Sequence, residues 1–166
     1  MKLSDGVEWA LHCVMLLGAL PTGATLSAKA LAEFHGVPES YLLKHLKALA
    51  TDGILASVTG PRGGYRLARP TGDITLLDVV EAIDGREPAF RCTEIRQRGP
   101  CALDAGAYAR PCGINGAMLR AEQAYRESLA GETIKSVTDD FMASADERLF
   151  PLAEEWISNN QRMPKS

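Results

Sequence analysis

The sequence predicts a mainly α-helical protein with one small β-hairpin: a winged helix-turn-helix followed by a long dimerisation helix. Three observations predict it. Residues 27–50 hold two short amphipathic helix patterns separated by a glycine turn. Residues 54–67 hold two β-like runs around the Gly/Pro-rich tip TGPRGGY. Residues 114–129 then repeat apolar side chains at helix spacing over a long stretch.

Taken in order, Ser4 or Asp5 can cap a first helix running to about Leu20. Val7, Ala10, Leu11, Val14, Leu17 and Ala19 form its apolar face, and Cys13 near that face reads as a small core residue. Glu8 and His12 stand one turn apart and project from one side. Pro21 to Gly23 ends the helix. Ser27 caps a short second helix, Ala28 to Phe34, and Gly36 supplies a tight turn. Pro38 suits the first position of a third helix, with Glu39 favouring the positive end of its dipole. Leu42, Leu43, Leu46, Leu49 and Ala50 make its buried stripe, leaving Tyr41, Lys44, His45 and Lys47 largely off it. Helix, short turn, helix makes the third helix the candidate groove reader.

Ile54 to Val58 and Tyr65 to Leu67 read as the two strands of a wing, with Arg62 at its tip. Thr75 caps the next helix, whose apolar residues are Leu76, Leu77, Val79, Val80 and Ile83, and Gly85 stops it. Phe90 to Cys112 shows no sustained apolar period and reads as a long irregular loop carrying Cys92, Cys101 and Cys112. So long a loop inside a compact domain is expected to be functional or held by something. Ile114, Ala117, Met118, Ala121, Tyr125 and Leu129 mark the long helix, which suits a dimer former. Thr133 caps a further helix, and Leu152 to Ile157 is a last helical segment before a polar, frayed tail. Residues 1–85 are thus expected to bind DNA, 86–112 to form the cysteine loop, and 113–166 to supply dimerisation and C-terminal helices.

Composition narrows the class. The hydrophobic content of 46% is that of a soluble globular protein, and no apolar run reaches membrane-span length. The start lacks a signal peptide's charge pattern, so the cytoplasm is the expected compartment, and no membrane partner is expected. There, thiols stay reduced, and clustered cysteines point to metal or redox chemistry more than to structural disulfides. The net charge of −3 is unevenly placed. Residues 1–70 carry seven Lys/Arg against five Asp/Glu, whereas residues 71–166 carry eleven against sixteen. The basic excess lies in the half where a DNA reader needs it. Neither a phosphate-cradling glycine loop nor a nucleophile–base constellation stands out, so an enzyme is not expected.

The run SYLLKHLKALATDGILASVTGPRGGYRLARPTGDITLLDVVEAIDG, Ser40 to Gly85, resembles the winged-helix core of the Rrf2 family of bacterial regulators. The GPRGGYRLARP wing and the ITLLDVVEAIDG helix are its most specific marks, and the opening MKLS, the cysteine loop and the long helix also fit. The resemblance implies a homodimer on a pseudo-palindromic double-stranded operator. It also implies an iron–sulfur cluster held between the loop and the first helix of the other subunit. Eight residues separate Cys92 from Cys101 and ten separate Cys101 from Cys112, wider than is usual in cluster-binding relatives. A 2Fe–2S cluster is therefore expected ahead of a 4Fe–4S cluster. Its expected ligands are Cys92 and Cys112, the loop's two ends, with Glu8 and His12 from the partner; Cys101 is the alternative ligand. Trp9, beside Glu8, is a candidate redox relay.

For DNA, Ser40, Tyr41, Lys44, Lys47 and Arg62 are the expected contacts, with Lys29 and Arg66 as phosphate contacts or solvated side chains. Two other functions compete. One is the same DNA-binding dimer without a cofactor, using its cysteines as a thiol–disulfide sensor. The other is an iron–sulfur electron-transfer protein, which would show no sequence-specific, salt-dependent DNA affinity.

Overall fold

The computed structural model describes residues 3–60 and 63–163. Seven α-helices and one hairpin are found among them: α1 (Asp5–Gly18), α2 (Ala28–His35), α3 (Glu39–Thr51), β1 (Leu55–Val58), β2 (Gly64–Leu67), α4 (Leu76–Asp84), α5 (Gly113–Ala130), α6 (Ile134–Ser144) and α7 (Leu149–Asn160). Helical content with a single two-stranded antiparallel hairpin is the architecture expected of a winged helix. Leu55 pairs with Leu67 and Val58 with Gly64. Among the described residues no helix is long and apolar enough to cross a membrane.

The predicted periodicities of α1 to α3 bury most of their apolar residues, but Ala19 is exposed and the apolar period of α5 buries nothing within the chain. Ala10, Val14 and Leu17 of α1 meet Leu31 of α2 and Leu42, Leu46 and Leu49 of α3 in one core, with Leu26, Ile54, Ile74 and Val79, and Val7 is buried as well. Each such leucine contributes roughly 1.5–3 kcal/mol by leaving water. Cys13 is fully buried among them, as its position near the apolar face implied. Ile134 of α6 is also fully buried in this core. Its N–H donates to Ile74 O at 2.8 Å while the Leu76 N–H donates to Glu132 O at 2.9 Å, fixing α6 beside the start of α4.

Caps are mostly as the sequence indicated. The Ser27 hydroxyl accepts the Ala30 N–H at 3.1 Å. Thr75 and Asp78 form a reciprocal capping box, and Thr133 with Ser136 forms another. Ser4 is the N-cap of α1 but makes no cap hydrogen bond with its side chain. It instead gives its backbone N–H to Asp84 at 3.0 Å, tying α1 to the end of α4. Pro38 stands one position earlier than expected, as the N-cap residue of α3.

The wing is joined to the body at Leu26, whose N–H and C=O exchange hydrogen bonds with Tyr65 at 3.1 and 2.8 Å. A Cβ at Gly64 would lie 2.4 Å from Leu26 O, so only glycine permits this approach. The C-terminal tail departs from expectation. It is not frayed at Arg162, which pairs with Thr25 in an antiparallel bridge.

Candidate functional site

Two surfaces hold the candidate residues. The first is the exposed side of α3. Leu42, Leu46 and Leu49 turn inward, which leaves Ser40, Tyr41, Lys44 and Lys47 exposed together. Tyr41 keeps 66% of its surface exposed, an unusual exposure for an aromatic residue with no outside partner. Lys29 on α2 and Arg66 on β2 lie toward the surface as well. Arg62 lies outside the described residues.

His45, which the helix period puts largely off the buried stripe, is not free of contact. It is half-buried, with its ring edge-on to Trp9 at 6.1 Å between centroids. A Cβ on Gly6 would fall 2.3 Å from the His45 ring, so α1 and α3 approach closely here. Burial, with Lys44 adding to it, holds His45 below the usual histidine range, while Asp84 opposes the shift.

The second surface is the cysteine loop, which contains two 3-10 turns, Ile95–Gln97 and Ala105–Tyr108. Arg96 is its hub. Its guanidinium pairs with Glu94 at 2.7 Å, donates to Arg110 O at 3.3 Å and lies 5.3 Å over the Tyr108 ring. The Tyr108 hydroxyl donates to Arg96 O at 3.0 Å and accepts the Leu103 N–H at 2.9 Å. The loop also rests on the long helix, through the Ala89 N–H and the Glu122 carboxylate at 3.0 Å.

This bracing brings Cys92, Glu94 and Cys112 together, with one ligand atom from each lying within 4.8 Å of the others. Sequence reasoning missed Glu94; the only local signal was an acid two residues after a cysteine. It sits at φ 50°, the one non-glycine residue at positive φ among those described. That conformation costs of order 1–2 kcal/mol for an L-residue. Glu94 accepts from Cys92 Sγ at 3.7 Å. Cys112 is the N-cap residue of α5. Backbone N–H groups of Asn115 and Ile114 hold its thiol below the ordinary range; desolvation opposes this, and Cys92 and Arg96 add to the lowering. Cys101 is exposed and lines the same concavity as Cys92 and Cys112.

Glu8 and His12 both lie toward the surface of α1, and neither joins the Cys92 group within one chain. The His12 ring lies 5.7 Å from that of His35, whose burial lowers it to about 4 with His12 contributing.

A winged helix-turn-helix whose third helix keeps Ser40, Tyr41, Lys44 and Lys47 exposed is the architecture of a DNA-binding transcription regulator. The chain belongs to the Rrf2 family, whose model, described as an iron-dependent transcriptional regulator, matches residues 3–140. That class is not one of enzymes. The chain is 34% identical over 140 residues to the protein of Lactococcus lactis named as the putative HTH-type transcriptional regulator YffB, covering 84% of this chain and 88% of that one. It resembles the structure of CymR, titled the global cysteine regulator of B. subtilis, at 20% identity and a TM-score of 0.63 over 84% of this chain and 97% of that one. It resembles T. potens IscR at 21% identity and a TM-score of 0.63 over 90% and 96%. At such identities the structural likeness shows the fold.

Proposed function

We propose that this protein is a homodimeric regulator whose affinity for its operator is set by an iron–sulfur cluster, 2Fe–2S in type, lodged between the two subunits. The observation that carries the reading is the convergence of Cys92, Glu94 and Cys112 on a loop braced in a strained shape. Thiolates are the usual donors to such clusters, and a carboxylate beside them fits the set. Cys92 and Cys112 would hold it from one subunit. Glu8 and His12 of the second copy would complete it, because they share one side of α1 and stand apart from the thiol group in their own chain. Glu94, beside both thiols, is the loop's own alternative to one of the partner's ligands, and Cys101 is the alternative thiol should the cluster be of the 4Fe–4S type. When bound, such a cluster supplies a one-electron change of charge at the subunit junction.

Residues of this chain provide the route to DNA. Glu8 adjoins Trp9, Trp9 abuts His45, and His45 stands on α3 between Lys44 and Lys47. Moving α1 therefore displaces the reading helix. Half-sites lie about 34 Å apart, so a small change in spacing pulls side chains away from their bases. Breaking one bidentate pair with a base costs ~1–3 kcal/mol. On this reading residues 1–85 bind DNA, 86–112 sense, and 113–166 supply the dimer contact and C-terminal helices.

Anaerobic purification tests it, with iron and sulfide counts, visible spectra and operator binding in both oxidation states. Visible absorption that disappears on Cys92→Ala, Cys112→Ala and His12→Ala is the expected result. A colourless, iron-poor protein that binds its operator unchanged overturns the cluster, and an unchanged spectrum in His12→Ala overturns that ligand.

One observation favours a second reading. Cys92 and Cys112 lie close together and Cys112 is held toward its thiolate, which suits a disulfide switch. In it the two thiols join, giving two protons and two electrons to an oxidant such as a diazene. Diamide treatment of chelator-stripped protein that changes operator affinity, reversibly by dithiothreitol, distinguishes it.

A further inference from the structure

The family match ends at residue 140, yet the chain beyond it returns to the DNA-binding module. Trp156 of α7 packs on Phe34 of α2 with ring centroids 4.7 Å apart, and Ile157 packs against the same core. Two residues past the helix, Arg162 exchanges both backbone hydrogen bonds with Thr25, at 2.9 and 3.0 Å. Its neighbour Leu26 exchanges its own with Tyr65 of β2. Adjacent residues of an extended strand aim their amides to opposite sides, so Thr25–Leu26 forms a two-residue strand between the tail and the wing. The Arg162 guanidinium then donates from Nη1 to Gly63 O at 2.6 Å, at the wing's inner corner.

We propose that Trp156 to Arg162 is a wing clamp, in which Arg162 is a positioning residue for operator binding. A two-stranded hairpin alone is marginal in water. The tail adds a strand-like neighbour, and a charged donor on a carbonyl makes a strong hydrogen bond. Apparent affinity scales with the fraction of molecules already in the binding shape, so releasing the wing lowers it without removing a DNA contact. The proposal rests on the reading that the wing touches DNA.

The test uses the full chain and a duplex recovered by the wild-type protein from a random-sequence pool. Binding is measured for Arg62→Ala, Arg162→Met and the double variant. Arg62→Ala is expected to weaken binding, which establishes the wing contact. Arg162→Met is expected to weaken it about tenfold alone and little further in the Arg62→Ala background. Amide hydrogen exchange at Leu26 and Tyr65 should quicken in Arg162→Met, and Trp156→Ala should reproduce both effects. Unchanged affinity in Arg162→Met, with Arg62→Ala weakened, overturns the clamp and leaves the wing reading standing. No effect of Arg62→Ala overturns the wing reading and the clamp with it. Additive losses, with the salt slope reduced by about one for Arg162→Met, make Arg162 a phosphate contact and overturn its positioning role. Should Arg162→Met fail to fold, Arg162→Gln carries the same comparison.

Discussion

Cys13 and Cys112 show how one side-chain type is tuned in opposite directions. Cys13 is fully buried, and burial pushes its thiol up to about 12. Cys112 sits at the head of α5, where backbone N–H groups hold it down. Iodoacetamide at pH 8 is expected to label Cys101 and Cys112 in the folded, chelator-stripped protein, and Cys13 only after denaturation, as peptide mass mapping would show. A second outcome follows from linkage. The unfolded Cys13 thiol loses its proton near pH 9, whereas the folded one keeps it to about 12, so the folded state binds more protons in that window. Stability therefore falls as pH rises above about 9. Urea titrations across this range should show a shallower alkaline decline in Cys13→Ala than in the parent. An equal slope in both would mean that Cys13 does not control this limb.

Elements carry their own signals in some places and depend on distant partners in others. Thr75 and Thr133 announced their helices as caps, and the structure adds that each caps through a reciprocal box. Thr75→Ala is expected to cost about 1 kcal/mol in denaturant unfolding. The period of α3 likewise revealed which leucines go inward, because burial on one face needs only the spacing. That same reasoning put His45 off the stripe without showing what it touches. A helix wheel assigns a face, but α1 covers part of the outer face of α3, and nothing in residues 39–51 encodes where α1 passes. The candidate site divides in the same way. Cys92 and Cys112 were legible as loop ends, whereas Glu94 comes within reach of both thiols only because Arg96 and Tyr108 fold the loop back on itself.

At the scale of the molecule, α5 has no buried residue within one chain. Ile114 and Met118 remain 67% and 44% exposed, one helical turn apart. Such an apolar side suits a second copy, and the proposed cluster needs one. Met118→Glu is expected to shift the protein toward monomer in analytical ultracentrifugation and to weaken operator binding with it. A dimer of unchanged stability would place the subunit contact elsewhere. Joint loss of dimer and visible absorption would tie the contact to the metal-binding reading.

The amino-acid order by itself determined the seven helical spans to within a few residues, the hairpin, and the exposure of Ser40, Tyr41, Lys44 and Lys47 on α3. Those features follow from periodicity, caps and turn residues that act over a few positions. Only the tertiary structure decided that Glu94 joins the thiols, that Trp9 leans on His45, and that Arg162 reaches the wing. Each of these depends on packing or bracing that brings together parts of the chain with no local pattern to mark the meeting, and the Arg162 hydrogen bond to Gly63 spans 99 positions.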